Sequence, residues 1–282
     1  MTDSVAAKCE KFHIVVMFLL CIVSISQASD KIILKNGNII EGRIVREKSD
    51  QVTIELMGGK GSMGIPRSDI LRIIMEKPES FLKAEGAFEK REFKEAIKLY
   101  NEVVSEYGRT EWGKKALIGV GRSYMELKKV DEACRIFERF LSRYKDSDLS
   151  CEVGLILGEI FTGKEMYDRA KTVYGEILEK SCPGEYLAEA QFRLGEIYSV
   201  TEEYEEALMS LLRVVVVFSE ESDLVQKAML RSGSCYEKLE DSGNARGIYE
   251  ELLREYPKGK YVKEAKKKLN ELGDELEKGE KR

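Results

Sequence analysis

Histidine is nearly absent: the one copy in 282 residues is His13, inside an N-terminal stretch that reads as a removable leader. That scarcity excludes serine or cysteine nucleophiles activated by imidazole, and zinc sites built on histidine. Proline occurs only 4 times and tryptophan once, in a chain that is 43% hydrophobic and 34% charged. Such a composition is that of one or two folded domains, not of a low-complexity polymer. Cationic excess is missing as well: 46 Lys plus Arg face 51 Asp plus Glu, a net charge of −5. A general nucleic-acid binder needs the opposite balance, so no nucleic-acid partner is expected. No C-x-x-C pair and no G-x-x-x-x-G-K-[ST] loop exists. Gly59–Gly64 (GKGSMG) matches G-x-G-x-x-G but runs into Ile65-Pro66. A dinucleotide cradle needs its glycines to lead from a strand into a helix, so these six residues are expected to be a hairpin loop. Carboxylate clusters such as Glu202-Glu203 and Glu205-Glu206 have ordinary lysine neighbours and single out no acid/base pair. No catalytic residue, cofactor or metal is expected.

The longest apolar run is Ile14–Ile25. At ~1.5 Å per residue it reaches roughly 18 Å, short of the ~30 Å hydrocarbon core of a bilayer. Lys8 and Lys11 flank it, and Ser26-Gln27-Ala28 supplies small residues for cleavage, so residues 1–28 read as a secretory signal peptide. Leu19 and Leu20 before Cys21 argue against lipidation. Loss of the leader removes Asp3, Lys8, Glu10 and Lys11 together and leaves the net charge unchanged. The mature chain is then exported, periplasmic or envelope-associated, with no transmembrane span.

Residues 29–77 have strand chemistry. Asn36-Gly37 between two Ile-rich runs predicts a hairpin on a type I′ turn. Val52, Ile54 and Leu56 alternate with polar residues, the period of a half-buried strand. Glycines at 58, 59, 61 and 64 connect to a final apolar run over Ile70–Met75. Four or five short strands bury little as a flat sheet, so a small barrel is expected. The opening DKIILKNGNIIEGRI and closing IPRSDILRI resemble small Sm-like or SH3-like barrels.

From Pro78 the chemistry turns helical and repeats. A small residue followed twelve positions later by Ala recurs as Ala84/Ala96, Gly121/Ala133, Gly158/Ala170, Gly195/Ala207 and Gly233/Ala245, at spacings of 37, 37, 37 and 38. Ala87, Tyr124, Phe161, Tyr198 and Tyr236 lie three positions after the small residue; Tyr100, Phe137, Tyr174, Leu211 and Tyr249 lie four after the Ala. The pattern describes helical hairpins whose small residues admit close approach and whose rings fill the space beside it, each hairpin covering its neighbour.

Over residues 78–261 these positions resemble the tetratricopeptide repeat family, with a period longer than the usual 34 residues and without the first-helix Trp. The resemblance implies a mainly α fold: a right-handed superhelix of five hairpins behind a small all-β barrel. Turns such as Arg143-Tyr144-Lys145-Asp146-Ser147 and Glu255-Tyr256-Pro257-Lys258-Gly259 resemble repeats of bacterial envelope proteins, among them the Tol-Pal-associated periplasmic coordinator and outer-membrane assembly lipoproteins. Residues 262–282 read as a Lys/Glu-rich capping helix and tail, with Val262, Ala265, Leu269, Leu272 and Leu276 as one narrow apolar stripe.

In such superhelices the first helix of each hairpin, helix A, lines the inner surface. Three positions before each small residue stand Phe81, Ile118, Leu155, Phe192 and Leu230; one position after stand Glu85, Arg122, Glu159, Glu196 and Ser234. Together they outline a groove with an apolar stripe and an acidic edge for a basic peptide or protein partner, its residues being Ile118, Arg122, Leu155, Glu159, Phe192, Glu196 and Leu230. The competing reading packs the apolar set between repeats. Leu211–Phe218 carries only Arg213 as a charge; it is either a buried second helix or an exposed patch for docking or homo-oligomerisation. Cys151 and Cys182 fall at neighbouring ends of one hairpin, where a disulfide is compatible with export, although both also suit unpaired small positions. Cys134 and Cys235 read as core fillers. The function that follows is a non-catalytic scaffold in envelope assembly, division or secretion. The alternative makes the barrel a nucleic-acid- or glycan-binding module oligomerised by the repeats.

Overall fold

The computed structural model of the chain describes residues 30–280 except 49, 58, 59 and 221, with side chains as far as residue 273. The leader reading of 1–28, His13 and Gly59 lie outside the described residues.

Five antiparallel strands come first: β1 (Asp30–Leu34), β2 (Ile39–Glu47), β3 (Gln51–Leu56), β4 (Ser62–Pro66) and β5 (Ile70–Ile74), in the order β4-β3-β2-β1-β5. Alternation dictates the core, because every second residue faces the same side: Ile32, Ile44, Val52, Ile54 and Ile65 are buried, with Leu34, Ile40, Leu56, Ile70 and Ile73 packed around them. Register shifts at Ile33/Leu34 and Ile44/Arg46 bend the sheet around that core. A 3₁₀ turn, Arg67–Asp69, carries the chain from one edge strand to the other.

The first hairpin departs from the predicted type I′ turn. Leu34 N–H donates to Asn38 O (2.8 Å), Gly37 N–H donates to Leu34 O (2.9 Å), and Gly37 takes φ +87° while Asn36 keeps a negative φ. This is the three-residue loop in which a type I turn ends on a left-handed glycine. Asn36 Oδ1 accepts from Asn38 N–H at 3.0 Å, a local bond that holds this turn instead. As expected, residues 60–64 of the glycine-rich stretch belong to the β3–β4 hairpin, closed by Leu56 N–H to Gly61 O at 2.9 Å.

Eleven helices follow: α1 (Glu79–Glu89), α2 (Phe93–Tyr107), α3 (Glu111–Glu126), α4 (Val130–Arg143), α5 (Ser150–Gly163), α6 (Tyr167–Leu178), α7 (Gly184–Val200), α8 (Tyr204–Val217), α9 (Ser222–Lys238), α10 (Ser242–Glu255) and α11 (Val262–Glu280). Each packs on the next in chain order, and odd-numbered helices also meet across repeats. The signature positions explain the stacking. A Cβ on Gly121 would come within 2.5 Å of Phe137 Cε1, and one on Gly158 within 2.5 Å of Tyr174 Cζ. Phe137, Tyr174, Leu211 and Tyr249 are fully buried, as is every signature Ala. In the first repeat Ala84 occupies the small position, and Tyr100 instead lies over Gly119 of the next A helix.

A second periodic device joins each A helix to its partner. Arg91, Lys128, Glu165, Glu202 and Glu240 all have φ between +57° and +64°, at the same spacings of 37, 37, 37 and 38 residues. In each turn two N–H groups fold back on the helix end: Glu165 N–H donates to Thr162 O (3.0 Å) and Met166 N–H to Phe161 O (2.8 Å). That is the Schellman arrangement, which satisfies otherwise orphaned carbonyls. At the far end Ala265 and Leu272 of α11 are buried against the last hairpin.

The β unit sits on the α2–α3 turn. Glu47 N–H donates to Arg109 O (3.1 Å), while Glu47 Oε1 accepts from Glu111 N–H (2.9 Å) at the start of α3. A carboxylate there meets the positive end of the helix dipole. Thr110 supplies the cap from within, its hydroxyl accepting from Gly113 N–H at 3.4 Å.

Candidate partner-binding surfaces

Residues three apart share one side of a helix, so the position three before the small residue faces the same neighbour that the small residue touches. Burial follows that geometry: Ile118 is 5% exposed, Phe192 0% and Leu230 3%. These three are packed between helices and do not form the open apolar stripe expected of a groove. Leu155 alone of the named groove apolars keeps partial exposure. One position after the small residue the helix has turned by about 100°, and Arg122 and Glu159 are exposed while Glu196 is half-exposed.

The acidic edge is also changed by its surroundings, because the neighbouring A helix supplies a base to each acid. Arg122 on α3 pairs with Glu152 on α5 (2.7 Å); Glu159 on α5 pairs with Arg193 on α7 (3.2 Å). Glu196 on α7 meets Lys227 (3.6 Å) and Arg231 (3.9 Å) on α9, and Glu237 on α9 meets Lys268 on α11 (2.8 Å). Arg193 is the hub, with Glu189 at 2.7 Å and Glu196 at 3.0 Å as well as Glu159. Burial alone would lower its pKa, but the three carboxylates outweigh that and raise it. The result is a ladder of alternating charge, rung by rung across α3, α5, α7, α9 and α11, close to neutral instead of acidic. Sequence spacing could not show it, since each rung joins residues about thirty positions apart.

Leu211–Phe218 divides between its two readings. Leu211 and Val214 are buried, whereas Val216 is 77% exposed, Val217 62% and Met209, two turns before Val216, 68%. The equivalent positions in the other four B helices, α2, α4, α6 and α10, are polar or glycine: Lys98, Arg135, Thr172 and Gly247 match Met209, and Ser105, Ser142, Glu179 and Arg254 match Val216.

Cys151 at the start of α5 and Cys182 after α6 are joined as a disulfide, with Cα atoms 6.0 Å apart. Cys134 and Cys235 are free and buried. Burial raises both thiol pKa values, which leaves them poor nucleophiles at neutral pH. Among the described residues no group of three or more His, Cys, Asp or Glu side chains is arranged to hold a metal ion, and no helix is long and apolar enough to cross a membrane.

The tetratricopeptide repeat family model matches residues 115–147 and 227–259, that is, the α3–α4 and α9–α10 hairpins. No curated protein sequence matches the chain. Solved structures do. BtubC (BKLC) from P. vanneervenii is 17% identical with a TM-score of 0.51, over 61% of this chain and 76% of that one. MamA is 18% identical with a TM-score of 0.52, over 66% and 95%. The apo form of RapI is 17% identical with a TM-score of 0.57, over 64% and 54%. At such identities the likeness is one of fold alone. Taken with the 37-residue stacking of hairpins, it shows that the helical part of this chain has a tetratricopeptide-like fold, with two of its hairpins matching the family model itself.

Proposed function

We propose that this chain is an exported, non-catalytic scaffold that holds a protein or peptide partner on the A-helix face of its repeats, within an envelope process such as assembly, division or secretion. The leader-like N-terminus and the Cys151–Cys182 disulfide support export. The resemblance of the inter-repeat turns to envelope repeat proteins supports the cellular role. One observation carries the binding surface: from α3 to α11 every pair of adjacent A helices is joined by at least one ion pair. Half-exposed ion pairs are each worth only about 0.2–1 kcal/mol to folding, so a partner can exchange them for its own charges at little cost. Ile118, Phe192 and Leu230 then act as the framework beneath, and Arg122, Leu155, Glu159 and Glu196 as the surface that is read. A rigid surface loses little entropy on binding.

The test places a photoreactive amino acid at Leu155 of the full chain in intact cells. A discrete adduct is expected that weakens when Arg231→Glu inverts an exposed rung two repeats away. A smear of products, or the same adducts from Glu176 on the outer side of α6, would overturn the assignment.

A further inference from the structure

The sheet has two free edges, and they are not alike. β4 reads SMGIP, where Gly64 weakens the strand and Pro66 cannot donate. β5 reads ILRII, with every N–H and C=O competent and no proline or glycine, its only edge protections being the bulge at Leu71 and the charge of Arg72. One side of β5 is taken by β1, in the register Ile32↔Ile73 and Ile33↔Arg72. Against β5 lies a cavity of about 540 Å³ that is walled by all of Ile70–Met75, by Glu47 at the end of β2 and Arg67 of the 3₁₀ turn, and by Glu111 and Trp112 in the first turn of α3. No β1 residue lines it, and β5 has no strand on its other side.

We propose that this slot is a second binding site, independent of the A-helix face, which takes one extended peptide segment of a partner protein as a sixth strand on β5. Three features define the occupant. Unpaired strand groups call for a backbone that can complete the ladder. Leu71 at 66% and Ile74 at 38% exposure call for apolar side chains in the segment. Charge sets the third: Arg67 is engaged by Glu47 (3.5 Å) and Glu111 by Lys115 (2.5 Å), while Arg72 has no ion-pair partner among the described residues. The uncompensated charge is positive, so the segment carries an acidic residue.

The experiment selects a displayed library of random twelve-residue peptides on the full oxidised chain, then measures chosen peptides by fluorescence anisotropy and amide exchange. Expected are sequences that combine several apolar residues with at least one acid, slower exchange within residues 70–75, and about tenfold weaker binding when alternate peptide nitrogens are methylated. Arg72→Glu, an exposed change, is expected to weaken acidic peptides and favour lysine-bearing counterparts. No enrichment, indifference to both N-methylation and Arg72→Glu, or protection confined to α5, α7 and α9 would overturn the slot. The last of these would leave the A-helix surface standing.

Discussion

Gly158→Ala adds one methyl group to a helix interior where propensity favours alanine by about 1 kcal/mol, yet it is expected to destabilise this protein. The new Cβ would lie about 2.5 Å from Tyr174 Cζ. Tyr174 is fully buried, and burial pushes its phenol pKa up to about 12, so the ring has no solvent to retreat into. Either α5 and α6 separate or the ring leaves its rotamer, an overpacking cost of about 1–3 kcal/mol. For a chain of this size that lowers the melting temperature by roughly 3–10 °C. Gly175→Ala in α6 is the control: the same chemical change where an added Cβ meets nothing within 4 Å, expected to raise stability by about 0.5–1 kcal/mol. Thermal and urea unfolding of the oxidised chain, followed by far-UV circular dichroism, reads both. A Gly158→Ala midpoint equal to or above wild type would refute the lock between small residue and ring. So would two variants that shift in the same direction.

Glu202→Gly relieves a left-handed residue at φ +64° and is expected to stabilise by about 0.5–1 kcal/mol after the added unfolded-state entropy; Glu202→Val, measured by the same melts, should cost stability instead. Cys151→Ser with Cys182→Ser opens a loop with a separation of 31 residues; a loss of about 3 kcal/mol is expected, and reductant should then leave the double variant unchanged. Asp30 has its pKa raised above the ordinary 3.8, first by burial, against hydrogen bonds from Ile44 and Glu76 N–H. A carboxyl raised in the folded state binds its proton more readily there, so folding gains as pH falls through the folded value and loses as pH rises. The stability difference between wild type and Asp30→Asn, followed by urea titration from neutral pH to about 4, should therefore move in favour of wild type on acidification.

The repeat was legible because steric contact leaves little choice of residue: only Gly or Ala fits beneath a ring or a crossing helix, so Gly121, Gly158, Gly195 and Gly233 mark the period. The left-handed turns were not legible, because Arg91, Lys128, Glu165, Glu202 and Glu240 stand where glycine is usual; the signal was there only as a position, not as a residue type. The burial of the apolar stripe was missed for a geometric reason. Ile118, Phe192 and Leu230 share a helix side with the small residue, and that side is occupied by the adjoining helix. The ladder needed coordinates, since Glu159 and Arg193 or Glu196 and Arg231 become neighbours only through stacking. At Asn36-Gly37 the residue pair predicted a turn correctly, but one extra loop residue and the Asn36 side-chain bond set its type.

A repeat protein carries its own controls, because whatever the fold requires must recur in every unit. The small residue, the Ala that follows, the buried residue beyond it and the left-handed turn all recur, and together they account for stacking. What fails to recur is not demanded by stacking. The position after the small residue reads Glu85, Arg122, Glu159, Glu196 and Ser234, a varied sequence at one geometric site. On the outer side, Met209, Val216 and Val217 replace residues that are polar or glycine in the four sister helices, and they remain exposed. A buried apolar residue explains itself through transfer free energy of about 25 cal/mol per Å²; these three gain almost none of it. Folding therefore explains the 37-residue frame and leaves unexplained the charges of the A-helix face, the apolar outer stripe of α8 and the unpaired edge of β5. Those are the places where this sequence has been set by something other than its own stability.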